Sequence, residues 1–335
     1  MSASRRILLQ TLAAAAAATT FALPTASHAQ AAAWPTRPIK WIVPFPPGGP
    51  TDVFSRAVAQ QLQAALGQPV VVENRGGAGG GVGMQALAKS APDGYTIGLS
   101  TTGTHAINPA LYGEKLGYDP LKDFTPLTLA VSYVNMLVVH ANHPAKNVKE
   151  LVEYAEANPG KVMFGSAGNG SSNHLSGEVL KLLTGAPMQH VPYRGSALAM
   201  NDTIAGQITS MFDILNVAIP QSRSGRVRAL AVTSGKRSPY SPDVPTMEEA
   251  GVPGYSAAGS DLWFGIMAPA GLPNPVADKL QAALVTVLRS PEMRQTIRAQ
   301  FFEPWTSTPE DFLKVIRTDG AKWAKIVTES GARVD

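Results

Sequence analysis

The sequence predicts an α/β fold on three observations. Short β-branched runs alternate with stretches of helical spacing. Turns rich in Pro and Gly separate them, with 31 Gly and 27 Pro among 335 residues. Parallel strands need long, usually helical crossovers, so this alternation places mainly parallel sheets under flanking helices.

The first strand, Ile39–Val43, is stopped by Pro44, Pro46, Pro47, Gly48 and Gly49. Residues 51–66 then have helical spacing, with Val53, Ala57, Leu62 and Leu66 on or near one face and Gly67 at the cap position. Further strands are expected at 69–72, 95–99, 136–139, 162–164, 208–212 and 228–232, with helices between most of them. Helices at 275–288, 291–300 and 309–329 close the chain, each opened by a proline that suits the first helical turn. No strand is expected between the last two.

Composition narrows the function classes. The length suits two domains. At 44% hydrophobic and 16% charged, the chain is too apolar to be disordered. Its net charge of +4 is spread without a Lys/Arg block, which sets nucleic-acid partners aside. With no cysteine, a disulfide scaffold, a Cys-ligated metal and a thiol nucleophile are excluded.

No G-x-S-x-G, G-x-x-x-x-G-K-[ST] or H-E-x-x-H motif occurs. Gly81-Val82-Gly83-Met84-Gln85-Ala86 fits a dinucleotide pattern, but Glu73 to Gly80 separate it from the strand at 69–72 and the expected acid is missing. It is expected to be a structural loop leading into a helix. His140 and His143 lack a sequence-local third ligand and are expected to lie on the surface. Neither a cofactor nor a metal is predicted.

Residues 1–29 read as a secretory leader: Arg5 and Arg6, an uncharged Ala-rich run from Ile7 to Ala26, and small residues at −3 and −1 of a cleavage site after Ala29. Ser4-Arg5-Arg6-Ile7-Leu8-Leu9-Gln10 suits a twin-arginine signal as well as the general secretory route. The longest later apolar run, 127–139, is short and interrupted by Thr128, Ser132 and Asn135, so no span is expected and the mature chain should be soluble.

Two loops share one construction. Residues 45–52 follow the first strand, and residues 165–174 follow the strand at 162–164; each is rich in small residues and runs into a helix. Glycines let backbone N–H groups turn toward a ligand, and a helix N-terminus adds partial positive charge, so each loop suits an anion. At Pro192-Tyr193-Arg194-Gly195-Ser196 a further strand gives way to a helix, and Arg194 offers a fork for a carboxylate.

At these residues the chain resembles the solute-binding receptors of the tripartite tricarboxylate transporters, the Bug family. The resemblance rests on ordered segments: 43–52 (VPFPPGGPTD), 72–80 (VENRGGAGG), 91–96 (APDGYT), 168–171 (GNGS), 190–195 (HVPYRG), 211–213 (MFD), 228–233 (RALAVT) and 243–246 (DVPT). It extends from about Trp34 to the C-terminus.

The resemblance implies a two-domain periplasmic-binding-protein (flytrap) fold with the ligand cleft between the domains. Domain I would be 30–130 plus 255–335 and domain II 131–254. One wall would carry Phe45, Pro47, Gly48, Gly49, Thr51 and Asp52, with Thr101 and Thr104 beside them. The other would carry Ser166, Ala167, Gly168, Asn169, Ser171, Ser172 and His174, then Tyr193, Arg194, Gly195 and Asp213. Asp213, an acid at an apolar strand end, must be hydrogen-bonded, either structurally or by a ligand ammonium. His174, at a helix start, is expected neutral. Trp263 and Phe264 are expected to pack at the hinge.

The implied function is an extracytoplasmic receptor that captures a small carboxylate by domain closure and delivers it to permease subunits in the membrane. The implied location is the periplasm, and the receptor is expected to be a monomer without a cofactor. An alternative is a secreted α/β hydrolase using Ser171 or Ser172 with His174 and Asp213. Another is a sensing subunit for a signalling partner.

Overall fold

The computed structural model describes residues 34–260 and 262–334; the expected leader and its cleavage after Ala29 lie outside them. From Arg37 onward the chain builds two sheets. Strand β1 (Ile39–Val43) enters the first, and its stop at Pro44 is followed by helix α1 (Pro50–Leu66). Pro50 occupies the first turn of α1, and Gly67 ends it in the left-handed region at φ 69°, donating to Gln63 O. Then come β2 (Val70–Asn74), α2 (Gly81–Ala88), β3 (Thr96–Thr101), α3 (Asn108–Tyr112) and β4 (Phe124–Tyr133).

The run at 127–139 that is too short to span a membrane is two strands. Strand β4 stays in the first sheet, the chain crosses at Val134, and β5 (Asn135–His140) opens the second sheet. That sheet is completed by α4 (Val148–Ala157), β6 (Met163–Ser166), α5 (Ser172–Thr184), β7 (Gln189–Pro192), α6 (Ser196–Ile204), β8 (Ser210–Ile214), α7 (Leu215–Arg223) and β9 (Val227–Val232). The chain returns through α8 (Tyr255–Gly259) to β10 (Leu262–Pro269) in the first sheet. It ends with α9 (Asn274–Arg289), α10 (Pro291–Ala299), a two-residue strand β11 (Glu303–Pro304) and α11 (Pro309–Ser330). No helix among the described residues is long and apolar enough to cross a membrane.

The strand orders are β11-β4-β10-β3-β1-β2 and β7-β6-β8-β5-β9. The expectation of mainly parallel sheets is corrected to mixed ones. β1 pairs with β2 and β3, and β6 with β7 and β8, all in parallel. By contrast β10 is antiparallel to β3 and β4, and β5 is antiparallel to β8 and β9. The antiparallel strands are those that carry the chain between sheets or back again, where no βαβ crossover constrains direction. Strand β11 corrects the expectation of no strand before the last helix: Glu303 and Pro304 pair with Ser132 and Val131.

Helix α11 locks the first half together. Thr308 caps it by accepting from Asp311 N, and Pro309 opens it. Its Phe312 lies against the bare backbone of Gly265 in β10, where an added Cβ would sit 2.1 Å from the ring. Trp263, two residues away, meets Phe312 edge-on at 5.2 Å and donates from Nε1 to the buried Asp319.

Gly265→Ala should therefore overpack the core and destabilise the protein by about 1–3 kcal/mol. Denaturant unfolding measures this; a variant as stable as wild type contradicts the packing described.

Candidate functional site

Both sheets place their loops by the same rule. In the first, the chain moves one way from β1 to β2 and then back past β1 to β3; in the second it moves from β6 to β7 and back past β6 to β8. Where the direction reverses, the crossovers diverge and leave a crevice beyond the carboxyl ends of the strands. The loop after β1 and the end of β3 form one such crevice. The loop after β6 and the end of β8 form the other.

The two crevices face each other around a cavity of about 280 Å³. Phe45, Pro47, Gly49, Thr51 and Thr101 line it from the first half; Ala167, Ser171, Ser172, Arg194, Gly195 and Asp213 line it from the second. A smaller cavity of about 220 Å³, sharing Phe45, Ala167, Arg194 and Gly195, also takes Gly168, Asn169 and Tyr193. The remaining expected residues border neither space, and each has a task behind the wall.

Asp52 holds the first loop in shape. Its Oδ2 accepts from Gly48 N at 2.9 Å and Arg56 Nε at 3.0 Å, and its Oδ1 accepts from Asn74 Nδ2 at 3.0 Å. Asn74 donates as well to Phe45 O. Burial pushes the Asp52 carboxyl up, but the Arg56 guanidinium, Gly48 N–H and Asn74 amide outweigh it and hold the group below its usual range. Gly48, at φ +80°, supplies the turn that brings its N–H to this carboxylate. Thr104 is likewise internal: its Oγ accepts from Thr101 N and contacts His105 Nδ1.

The second loop rests on a polar stack. Ser166 Oγ lies 2.6 Å from His190 Nε2 and accepts from Gly168 N. His190 stacks on His174 with ring centres 3.9 Å apart. His174 Nδ1 accepts from Gly170 N, which puts the imidazole proton on Nε2, facing Glu178 3.7 Å away. Burial pushes His174 down to about 2, reinforced by the His190 and Lys181 charges, and His190 down to about 4, reinforced by Lys181.

These bonds answer the hydrolase alternative. Ser171 Oγ donates to Gly168 O and accepts from the backbone N–H of His174, as an N-cap does. Ser172 Oγ accepts from Tyr133 OH at 3.3 Å. The His174 ring is bonded to neither serine. The other predicted histidines are half-buried rather than superficial: His143 accepts from Ala145 N and packs on Tyr154. The G-x-G-x-x-A segment corrects its reading as a loop leading into a helix: Gly81 to Ala86 are themselves the first six residues of α2.

Tyr193 donates to Asp202 at 2.7 Å; burial and that carboxylate push the phenol up to about 12. Asp213, wholly buried at the end of β8, accepts on Oδ1 from Ile214 N at 2.8 Å and Asn173 Nδ2 at 3.2 Å. Arg194 is exposed at the rim.

Several lining residues escape sequence reasoning. Tyr133 and Phe264 form an aromatic floor with ring centres 4.7 Å apart. Phe264, expected as hinge packing, pairs in register with Thr101 and thereby reaches the cavity. Ser196 and Leu198 at the start of α6 also line it, a placement that the Gly195 turn directly before the helix could have signalled.

The halves touch across the rim. Tyr112 OH donates to Asn169 O at 3.1 Å, and Gly170, at φ +82°, lies so close to Asn108 that an added Cβ would be 1.8 Å from its Oδ1.

A bilobed fold with paired crevices that face each other across a small cleft defines a flytrap solute-binding protein. The chain belongs to the tripartite tricarboxylate transporter receptor family, whose model matches residues 54–332. Among solved structures, it is similar to the periplasmic binding protein BugD (37% identity, 90% of this chain and 99% of that one, TM-score 0.84). It is also similar to Rpa4515 of R. palustris with adipate (36%, 90% and 100%, TM-score 0.85) and to MatC of Rhodopseudomonas palustris with bound malate (32%, 88% and 100%, TM-score 0.82).

Two outcomes follow from this geometry. Gly79→Ala, whose Cβ would sit 2.0 Å from the backbone oxygen of Asn169, should hold the halves apart, giving a larger radius of gyration in small-angle scattering than wild type in the presence of ligand; equal radii contradict the contact. The second concerns acid. Unfolded histidines titrate near 6.5, so His174 and His190 contribute stability that is full above that pH and falls below it, by up to about 1.4 kcal/mol per pH unit each. Asp213, raised to about 7 chiefly by burial, works in the opposite direction as pH falls from 7 toward 4. His174→Gln should flatten the loss of melting temperature between pH 6.5 and 5; an unchanged slope contradicts the neutral stack.

Proposed function

We propose that this chain is an extracytoplasmic receptor that captures a small carboxylate in the cleft by closure of its two halves and presents it to permease subunits of a tripartite tricarboxylate-type transporter. The observation that carries the reading is the pair of opposed helix starts. α1 and α5 both begin at the cavity wall, directing the positive ends of their peptide dipoles toward it. Thr51 Oγ, with no hydrogen-bond partner among the described residues, stands in the first turn of α1 where an oxygen anion would meet it. Arg194 at the rim adds a charged fork.

The neighbours with adipate and malate support the same ligand class. On this reading the bodies that close are 30–130 with 255–335, and 131–254. The leader reading, with the periplasmic neighbour BugD, supports a periplasmic location, and the receptor acts there as a monomer.

A melting-temperature screen of the protein from Gln30 onward, against mono-, di- and tricarboxylates and neutral controls, tests this. A ligand at 100 times its Kd adds about 2.7 kcal/mol of stability. The expected result is a shift selective for acids, with no product formed. Arg194→Ala should weaken the best acid by about 10- to 100-fold, the worth of a charge-assisted bond, and leave the unliganded melting point nearly unchanged. Neutral compounds shifting the protein as well as acids would contradict the proposal.

A further inference from the structure

The halves also touch on the side away from the cavity. In the order β11-β4-β10-β3-β1-β2 the crevice lies at β1 and β3, and β11 lies beyond the crossing strands β4 and β10. In the order β7-β6-β8-β5-β9 the crevice lies at β6 and β8, and β9 lies beyond β5. Tyr240, in the segment that follows β9, meets β11 on this far side. Its OH donates to Glu303 Oε1 at 2.8 Å and to Phe302 O at 3.1 Å, one proton shared between two acceptors.

Each partner is fixed to its own half. Glu303 pairs in register with Ser132 of β4, and the wholly buried Phe302 sets its ring against Phe264 and Tyr133 of the cavity floor, at 5.5 and 6.3 Å between centres. Tyr240 O accepts from Arg223 Nη2 at the end of α7. Phe301 crosses the gap. Its backbone belongs to the segment before β11, whereas its ring packs on the apolar core of the second sheet, 5.4 Å from the Tyr240 ring and beside the Arg223 guanidinium. That reach holds Phe301 at φ +61°, a left-handed conformation that a bulky residue adopts only where its surroundings impose it.

The rim contact between Tyr112 and Asn169 is formed in the same structure, so this is the far side as it stands with the cleft shut. Hydrogen bonds survive only small displacements. Rotation of one half against the other either stretches the Tyr240 bonds or drives its ring into Phe301. A groove of about 840 Å³ beside Tyr240 and Phe301 leaves room for that movement.

Resting on the closure reading above, we infer that Tyr240 is a positioning residue for capture: through its bonds to Glu303 and Phe302 it holds the halves in the shut arrangement, and so tightens every cargo without touching any. Burial and the Glu303 carboxylate push the phenol up, so it remains a donor at neutral pH.

Calorimetry on wild type, Tyr240→Phe and Glu303→Gln with succinate, malate, adipate and citrate tests this. Tyr240→Phe removes the O–H and keeps the ring against Phe301. It should weaken each acid that binds wild type by about three- to tenfold, the fold-change of one net hydrogen bond. Release should be faster and the ratios between acids unchanged, because only the shut population falls. Glu303→Gln keeps an acceptor and should bind nearly as wild type does, and the double variant should be no weaker than Tyr240→Phe alone.

A lower melting temperature with unchanged affinities would make the bond merely structural and overturn the inference. Weakening of one acid far beyond the others would put Tyr240 at the ligand and overturn it equally. Small-angle scattering of wild type with the tightest of these acids separates the two readings. A wild type that compacts, beside a Tyr240→Phe protein of wild-type affinity, sinks this inference alone. A wild type that binds without compacting, or binds none of the four, sinks the reading on which it rests.

Discussion

The parallel pairing of β1 with β3 and of β6 with β8 is the constraint on which the rest of this molecule depends. Each pair lies where successive crossovers part to opposite sides, so each sheet has a crevice at its carboxyl edge there. The antiparallel strands β4, β5 and β10 then bring the two crevices to face each other. Burial of the aromatic floor, the opposed helix starts and the contacts at the rim all follow from that arrangement.

Within each crevice, shape and chemistry are divided between residues. Asp52, with Arg56 and Asn74, fixes the first loop from behind, and the Ser166–His190–His174 stack fixes the second. Their polar capacity is used internally. The cavity wall keeps few polar atoms and many apolar ones, among them Phe45, Phe264 and Leu198. A small number of polar groups against an apolar surface makes a site in which each selects strongly, because a polar group left unmatched away from water is costly.

The glycine-rich turns after Ile39–Val43 and after the strand at 162–164 were legible, because punctuation by Pro and Gly before a helical period is a local signal. So were the cap at Gly67 and the helix starts at Pro291 and Pro309. The division of labour inside those turns was not. Asp52, Thr104, Ser166 and His174 have the residue types of a binding loop, and only the fold shows that their side chains face inward to brace it. Tyr133 and Phe264 failed in the other direction: both sit in apolar runs that look like core, and their part in the cavity depends on the antiparallel register of β10 against β4 and β3, long-range pairings without any local signature. The mixed character of the sheets was missed for the same reason, since strand direction after a crossing between sheets is not written in the strand itself.

The account is tested most directly by a crystal structure of the protein grown with the acid that most raises its melting temperature. It predicts a carboxylate group within hydrogen-bonding distance of Thr51 Oγ, enclosed between the loop after β1 and the start of α5. Ligand found outside this cavity, for instance in the groove beside Lys236 and Arg237, with the space between the crevices filled only by water, would contradict it.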